Sequence, residues 1–485
     1  MARMVSSNGG PDPRAKSGLK LAPRGLSLAL AAALALSGCL KGPNYRRPQV
    51  DVPQVYRGPD NAPRAGGLES LGNAAWWTVF QDAALQSLIR TALAQNFDLR
   101  VAATRIFEAQ QAVIIARSNQ FPTIAGGALV SGLREPDGRG GYTSYTIPEV
   151  GVSGSWSVDF WGKYRRLTEA ARAQLVATEW ARRAVVSDLI SSVATAYFDL
   201  RTLDQQLAIS QRTLASREES LRLIQTLVNG GGAPLSDQRQ AEELVESAAA
   251  AIPNLEREIQ QQENAINALL GRNPGAQIDR GLETAGQPAQ AAPPVGIPSA
   301  LLERRPDIAE AEQLLVAANA RIGAARAAFF PDIELTGIGG VASASLTTLF
   351  RGVSRAWSYT GSAMEPIFTK GRLNANLKLA EAQRDEALFH YQQAIQQAFR
   401  DVSDSLIACQ KLRDYREHEE KLLVAARDAA SLARLRYQGG AASYLEVLTN
   451  ETNAYAAEIG LATAILSERL ALVQLYNALG GGWTP

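Results

Sequence analysis

The sequence predicts an α+β membrane protein built from a duplicated unit, with long coiled-coil helices and four β-strands per chain. Residues 163–228 contain no proline and no glycine, which allows a single helix of about 100 Å. Residues 149–160 instead alternate between apolar and small or polar side chains, as a half-exposed strand does. The chain also matches itself at one constant displacement. These three observations together predict a tandem repeat of one large mixed unit.

The internal repeat involves less common residue types as well as alanine and leucine. Asp98 corresponds to Asp307, which lies 209 residues later in the chain. The same displacement aligns Phe-Pro pairs, glycines and acidic residues without a gap: Phe121-Pro122 with Phe330-Pro331, Gly162 with Gly371, Gly231 with Gly440, and Glu242 with Glu451. Chance matching in an alanine-rich chain does not explain this set, so we expect two units with the same fold.

Heptad spacing indicates that the long helices pack side by side. In the first unit apolar residues recur at every seventh position: Val193, Leu200, Leu207, Leu214, Leu221 and Val228. The second unit has a matching stripe: Leu388, Ile395, Val402, Cys409, Leu423, Ala430 and Tyr437. Arg416 interrupts this second stripe, so a less regular seam is expected there. The glycines at 230–232 and 439–440 are typical of helix ends and turns, and Pro253 is expected to kink the first returning helix.

The alternation in residues 149–160 is typical of a membrane barrel strand between lipid and a water-filled lumen. A soluble sheet with one wet face has the same alternation and remains the alternative. Apart from the N-terminal signal, no stretch reaches the roughly 18 apolar residues of a membrane helix, so any crossing must use strands. Four strands cannot close a barrel, and open edges are not viable in lipid. Several chains must therefore share one barrel, with eight strands in a dimer or twelve in a trimer.

The N-terminal residues read as a secretory signal. Basic residues precede an apolar run at 26–36, which is too short to span a bilayer. Leu36-Ser37-Gly38-Cys39 follows and resembles a bacterial lipobox, in which Cys39 becomes the acylated first residue. An ordinary signal peptide with a chance cysteine is the alternative. Leu40, rather than an aspartate, follows Cys39 and by resemblance to sorted lipoproteins indicates the outer membrane.

These patterns divide the chain into six segments. The predicted segments are a lipoprotein signal peptide (1–38), an acylated N-terminal segment (39–97), a first repeat (98–275), a Pro/Ala-rich equatorial linker (276–306), a second repeat (307–480) and a tail (481–485). The first repeat is predicted to contain strands near 121–134 and 145–160 and a long helix at 163–228. The second is predicted to contain strands near 330–343 and 357–368 and a long helix at 372–438.

Several motifs resemble those of TolC/OprM-type outer-membrane efflux channels, the NodT-like outer membrane factors of RND-type pumps. They are Pro293-Pro294-Val295-Gly296-Ile297-Pro298-Ser299, Leu301-Leu302-Glu303-Arg304-Arg305-Pro306-Asp307-Ile308, Ala324-Ala325-Arg326-Ala327-Ala328-Phe329-Phe330-Pro331, Asp159-Phe160-Trp161-Gly162-Lys163 and Ser443-Tyr444-Leu445-Glu446-Val447-Leu448. The resemblance covers nearly all of the mature chain. It implies a homotrimer with a shared twelve-stranded β-barrel, embedded in outer-membrane lipid and continued by a periplasmic α-barrel. It also implies two partners, a periplasmic adaptor protein and an inner-membrane RND-type pump.

The same resemblance implies a closed tip at the helix turns. Tyr437 matches a gate tyrosine, Leu445 a constricting leucine and Glu446 one acidic ring position, and Asp237 is the first-repeat equivalent of Glu446. Packing on the heptad stripe is an equal alternative for Tyr437, and a solvated helix position is the alternative for Glu446. The chain departs from its relatives at Thr449, where a second acidic ring falls, and at Ala442, which is basic in some members.

Composition argues against most other classes of protein. The net charge is +1, so nothing attracts nucleic acid, and two cysteines and two histidines are too few for a metal centre or a cofactor site built from them. No catalytic Ser-His or Cys-His pairing and no phosphate-binding loop is present, so we expect no enzyme and no cofactor. The alternatives left open are a duct for type I protein secretion and a periplasmic coiled-coil lipoprotein without a pore. With methionine only at Met1, Met4 and Met364, a methionine-lined copper route is not expected.

Overall fold

A computed structural model describes residues 40–53, 56–57, 70–281, 296 and 298–483. The acylation predicted at Cys39 and most of the equatorial linker predicted at 276–306 lie outside the described residues. In chain order the elements are α1 (Trp76–Val79), α2 (Ala83–Gln95), α3 (Phe97–Ser118), β1 (Thr123–Pro136), β2 (Tyr142–Ser157), α4 (Lys163–Asn229), α5 (Leu235–Leu269), α6 (Pro298–Arg304), α7 (Pro306–Ala327), β3 (Asp332–Ala342), β4 (Arg355–Met364), α8 (Arg372–Gln438) and α9 (Tyr444–Ala478). Long helices plus four strands confirm the predicted α+β class.

Matching helices in the two repeats have equal lengths. Helices α4 and α8 both contain 67 residues, α5 and α9 both contain 35, and α3 and α7 both contain 22. Each helix of the second repeat begins 209 residues after its counterpart, as 163 and 372 illustrate. The duplication inferred from sequence is therefore a duplication of structure. Helix α5 continues through Pro253.

The chain divides into two compact units. One unit comprises Gln120–Arg165 and Arg326–Phe368 together with residues up to Gly42, and it contains all four strands described above. The other comprises Pro43–Asn119, Arg166–Ala325 and Thr369–Pro485, and it contains most of the helical residues. Among the described residues, no helix is both long and apolar enough to cross a bilayer.

The strands form one antiparallel sheet in the order β1-β2-β3-β4. Thr123 pairs with Ser155 at the start of the first hairpin, Glu149 pairs with Ala342 in the middle, and Asp332 pairs with Met364 in the second hairpin. Strands β1 and β4 are therefore the edges of the sheet in one chain. Their outer backbone groups have no strand partner among the described residues.

The predicted strand limits need correction by one to four residues. Strand β1 begins at Thr123 and β3 at Asp332, because Pro122 and Pro331 lack the N–H that a strand would use. The first hairpin closes tightly at Asp137, whose carboxylate accepts the N–H groups of Arg139 and Gly141, both at 2.8 Å. Since this turn is short, β1 runs to Pro136 and β2 starts at Tyr142.

The other ends of β2 and β4 also fall earlier than predicted. Strand β2 ends at Ser157, because the carboxylate of Asp159 accepts the N–H groups of Tyr164 (3.0 Å) and Arg165 (2.8 Å) and so caps α4. Strand β4 ends at Met364, two residues before Pro366. It begins at Arg355, directly after two short 3₁₀ turns at 346–348 and 352–354.

The heptad stripes are buried or half-buried, which confirms that the long helices pack along them. Val193 and Leu200 have no exposed surface and lie in a core formed by α2, α4, α5 and α9. Ile395 and Val402 lie in a second core with α7 and α9. Arg416, which interrupts the second stripe, is neutralised there by Glu468 of α9 at 2.6 Å.

The Arg-Arg-Pro-Asp motif has a structural role at the start of α7. Pro306 is the first residue of this helix, where its missing N–H has no helical partner to lose. Arg305 binds Asp307 at 2.7 Å and also reaches Asp401 of α8 at 3.1 Å. These pairs raise the pKa of the Arg305 guanidinium against the opposing effect of burial. The motif therefore fixes α7 against α8.

Candidate functional site at the helix tips

The two helix hairpins, α4–α5 and α8–α9, turn back at equivalent glycines. Gly231 has φ of +75° and Gly440 has φ of +71°, a left-handed conformation that costs a side-chain-bearing residue about 1 kcal/mol or more. In the second turn the N–H of Ala441 donates to the carbonyl of Arg436 at 2.8 Å, which closes the end of α8. Because both repeats have this turn, the C-terminal ends of α4 and α8 lie beside the N-terminal ends of α5 and α9.

A small apolar core joins the two hairpins at these tips. Its buried members come from all four helices: Ile224, Ala241, Ala433, Tyr444, Val447 and Leu448. Leu221 and Val228 of the first heptad stripe pack against it, as does Tyr437. The tip is therefore one packed cluster, and moving one hairpin relative to the other must disturb it.

Tyr437 packs in this cluster and also lies near an acidic side chain. Its ring centroid is 5.4 Å from that of Tyr444, at an angle of 52°. Partial burial and the negative charge of Asp237 both raise the pKa of the Tyr437 hydroxyl. The structure therefore brings Tyr437 and Asp237, two of the predicted gate residues, into one neighbourhood, with Tyr437 from the second hairpin and Asp237 from the first.

Glu446 is engaged within its own hairpin. Its carboxylate lies 2.5 Å from a guanidinium nitrogen of Arg436, across the Gly439-Gly440 turn. Leu445, the preceding residue, has 60% of its surface exposed and is not part of the tip core. Thr449, which occupies the second ring position, donates its hydroxyl to the carbonyl of Leu445. Of the predicted gate residues, Tyr437 therefore packs against the tip core and lies near Asp237. Leu445 is exposed, and the half-buried Glu446 is paired with Arg436.

Ion pairs join the two helices of the second hairpin along its length. The cation always belongs to α8 and the carboxylate to α9: Arg434–Glu451 at 2.6 Å, Arg427–Glu458 at 2.7 Å, Arg416–Glu468 at 2.6 Å and Arg413–Glu468 at 3.4 Å. In the described part of the first hairpin, the ion pairs at Arg239–Glu242 and Arg257–Glu258 stay within α5. Each exposed pair contributes only about 0.2–1 kcal/mol, but together they favour movement of the second hairpin as one body.

Polar contacts also link the first hairpin to the second. Arg212 of α4 binds Glu458 of α9 at 2.5 Å, and the hydroxyls of Ser210 and Tyr455 lie 3.0 Å apart. Arg217 of α4 is buried, donates to the carbonyl of Leu244 at 2.8 Å and lies over the ring of Tyr455. Burial lowers the pKa of the Arg217 guanidinium. Beyond the apolar tip core, the hairpins are therefore also joined by polar contacts.

Sequence reasoning missed the basic partners at the tip. It selected Glu446 but not Arg436, although the two residues lie ten positions apart on either side of the Gly439-Gly440 turn. Two antiparallel helices joined by a turn bring such positions together, as they do for the Arg and Glu partners farther along the hairpin. No comparable sequence signal marks Arg217. In the described residues, no group of His, Cys, Asp and Glu side chains could hold a metal ion.

The sheet separates its charges by face. All four acidic residues of the strands, Glu135, Glu149, Asp332 and Glu334, lie on one face, which the register defines and which we call the polar face. Most serines and threonines of β2, and all of those of β3 and β4, share this face with some apolar side chains. The opposite, apolar face carries the two strand arginines and mostly aliphatic, aromatic and glycine residues: Ile124, Val130, Val150, Val152, Gly154, Trp156, Ile333, Leu335, Gly337, Gly339, Val341, Trp357 and Tyr359.

Comparison with known proteins gives matches over nearly the whole chain. The family model described as outer membrane efflux protein matches residues 88–272 and 297–481. The second segment begins 209 residues after the first, which is the displacement of the internal repeat. The chain is 36% identical over 461 residues to the cation efflux system protein CusC of Escherichia coli O6:H1, covering 94% of this chain and 98% of the relative.

Two further similarities agree with this match. The chain is 37% identical over 465 residues to the toluene efflux pump outer membrane protein TtgC of Pseudomonas putida, covering 94% of this chain and 95% of the relative. Its fold is similar to the open state of the Neisseria gonorrhoeae MtrE outer membrane channel, with a TM-score of 0.81 and 33% identity. That similarity covers 92% of this chain and 99% of the other.

Proposed function

The chain belongs to the outer membrane efflux protein family, and from that premise we propose that it is the exit duct of a tripartite efflux system. It is an outer-membrane efflux channel, as its relatives and structural neighbours are. In this proposal three copies form the duct, a periplasmic adaptor contacts the helix tips, and an inner-membrane RND-type pump supplies the energy. The relatives are named for efflux of cations and toluene, which favours small solutes over secreted proteins.

The separation of charge by sheet face supports the proposal most directly. An apolar face towards lipid and an acidic, hydroxyl-rich face towards water is what a barrel wall in a bilayer needs. Strands β3 and β4 contain 11 and 10 residues, close to the roughly 9–11 residues of a tilted membrane strand. Strands β3 and β4 therefore have both the apolar face and the length that a membrane-spanning strand needs.

The open edges of the sheet support the shared barrel. Unpaired N–H and C=O groups on β1 and β4 would each cost several kcal/mol in hydrocarbon. If β4 of one chain pairs with β1 of the next, every edge disappears and three chains supply twelve strands. A ring of this kind repeats the polar face three times around one lumen. With four acids and no base per chain on that face, the lumen would attract cations.

The helix tips are the proposed gate of this duct. Tyr437 with Asp237 holds the two hairpins together, while Leu445 and Glu446 line the narrowest passage. Opening requires the second hairpin to move away from the first, and the polar links of Arg212 and Tyr455 can break and re-form in water during that movement. In this proposal contact with the adaptor drives the step.

Assembly and conduction of the purified protein test the proposal. Light scattering in detergent should give the mass of three chains, and planar-bilayer recordings should give small, cation-selective currents. Acylation belongs to the same proposal: an alkyne fatty acid should label the wild type and leave Cys39→Ser unlabelled. A folded monomer in detergent, or a protein that stays soluble without detergent after delipidation, would contradict the shared barrel. Equal labelling of both proteins would contradict acylation at Cys39.

A further inference from the structure

The apolar face of the sheet contains a shallow trough with a floor of bare backbone. Gly337 and Gly339 of β3 lie next to Gly154 of β2 on this face. A methyl group added at Gly339 would meet no atom within 4 Å, and one added at Gly337 or Gly154 would meet only a carbonyl oxygen at 3.9 Å. The glycines therefore leave open space on this face, and close backbone packing does not explain their presence.

Aromatic and aliphatic side chains form the walls of the trough. On one side Trp357 and Tyr359 of β4 stack at 5.9 Å with their rings nearly parallel, and they pair in register with Gly339 and Gly337. Val152 of β2 stands on the other side. These walls lie two strand spacings apart, or about 10 Å between backbones, which leaves room for one hydrocarbon chain.

Trp357 and Tyr359 are unusually exposed for rings that stack on each other. Trp357 is 76% exposed and Tyr359 is 79% exposed. Among the described residues nothing covers them. Two large rings held parallel at the border of an apolar surface are suited to contact with an acyl chain below and a polar headgroup above.

A positive charge lies at one end of the trough. Arg355 is on the same face as Trp357, at the end of β4 next to the β3–β4 connection. Its side chain is exposed, and no carboxylate of the described residues pairs with it. All acids of the strands lie on the opposite face, so the field at Arg355 is not cancelled locally. An anionic group at this end would gain a charge-assisted hydrogen bond.

We propose that this trough binds one acyl chain of a phosphorylated lipid of the outer leaflet, with the phosphate on Arg355. The inference rests on the proposed function: in that channel, the apolar face of the sheet contacts lipid, and the connections between strands lie on the exterior side of the membrane. Arg355 pairs with Val341 of β3, six residues from Leu335. The trough between these positions is about 20 Å long, which is enough for most of a lipid tail. The site would position lipid along the β4 edge, where the next chain of the trimer joins.

Native mass spectrometry of the delipidated trimer titrated with bisphosphorylated lipid A tests the site. Arg355→Gln should weaken binding about tenfold, the loss expected for one charge-assisted hydrogen bond. A Gly337→Val/Gly339→Val variant should abolish binding of the acyl chain, because the new side chains fill the trough. Dephosphorylated lipid A should bind the wild type about as weakly as lipid A binds Arg355→Gln, and inorganic phosphate alone should not bind.

Matched controls separate this site from general effects. Gly127→Val changes a glycine of β1 that is equally open but lies on the polar face, and Arg222→Gln removes an exposed arginine of α4. Both should bind lipid A as the wild type does. If the double glycine variant does not assemble, Trp357→Ala removes one wall and should weaken binding while leaving the glycine floor intact.

Two outcomes would overturn the inference. Equal affinity of the wild type, Arg355→Gln and the trough variants would show that lipid binds elsewhere, and equal losses in the controls would show a nonspecific effect. Planar-bilayer conductance of the same samples distinguishes the two proposals. Normal pores with unchanged lipid A binding would refute the trough alone, whereas failure of the wild type to form pores would refute the channel on which it depends.

Discussion

Arg436 and Glu446 form an ion pair of 2.5 Å across the turn of the second hairpin. The pair lies on the surface, where Arg436 keeps about half of its side chain exposed. Its contribution to stability is therefore small, on the order of 0.2–1 kcal/mol. In the proposed gate, the pair also balances the charge that Glu446 would present to permeating ions.

Removing Arg436 and removing Glu446 should shift the ion selectivity of the channel in opposite directions. Arg436→Gln leaves Glu446 uncompensated and should raise the preference for cations, whereas Glu446→Gln leaves Arg436 uncompensated and should lower it. Reversal potentials under a salt gradient measure both effects. Arg239→Gln, which breaks an exposed pair within α5, is the control and should not alter selectivity. Unchanged reversal potentials for both tip variants would mean that the ion path avoids this pair.

Loss of the Tyr437 hydroxyl should raise the resting leak of the closed channel. Tyr437→Phe keeps the packing against Tyr444 but removes the hydroxyl whose pKa Asp237 raises, and with it the polar contact that the proposed gate requires. Asp237→Asn should act in the same direction. Single-channel recordings would show a higher open probability without loss of the trimer. Tyr415→Phe, at an exposed position of α8, is the control. Wild-type leak in both tip variants would leave Tyr437 with a packing role only.

The Arg416–Glu468 pair offers a test of the interrupted heptad stripe. Both side chains are mostly buried, so Glu468→Ala leaves Arg416 on the seam with only the half-exposed Glu420 as a partner and should destabilise the fold by about 1–3 kcal/mol. Adding Arg416→Leu should restore part of the loss, because leucine continues the stripe. Thermal unfolding followed by circular dichroism measures both changes.

An exposed pair on the same helix provides the comparison. Asp414→Ala breaks the contact of Asp414 with Lys411 and should cost less than about 0.5 kcal/mol. If Glu468→Ala is no more destabilising than Asp414→Ala, the buried seam does not depend on the Arg416 pair.

Alkaline pH should loosen the tip core. Burial raises the pKa of Tyr444 from 10 to about 12. As pH rises above 10 the unfolded chain loses this proton first, so the stabilisation present below pH 10 is lost between pH 10 and 12. Melting temperatures across that range should fall, and less steeply in Tyr444→Phe. The pKa values of Tyr197 and Tyr476 are raised as well, so the melting temperature of Tyr444→Phe should still fall somewhat as pH rises. An identical slope in wild type and variant would argue against the burial of Tyr444.

Much of this architecture could be predicted from local sequence. The absence of proline and glycine from 163–228 and 372–438 predicts the two 67-residue helices, because helix continuation is a local property. Period-two alternation predicts strands for a similar reason. The ends of those strands were less predictable, since Asp159 and Asp137 act through hydrogen bonds to N–H groups that only the folded turn presents.

The partners of the tip residues required the tertiary structure. Sequence determined that Tyr437, Leu445, Glu446 and Asp237 cluster near two glycine turns, because those turns are encoded locally. Whether Glu446 meets Arg436 depends on the rotation of α9 about α8, which long-range packing decides. The burial of Arg217 between three helices has the same origin. Likewise, alternation places charges on alternate faces of each strand, but only the register between strands brings all four acids to one face of the sheet.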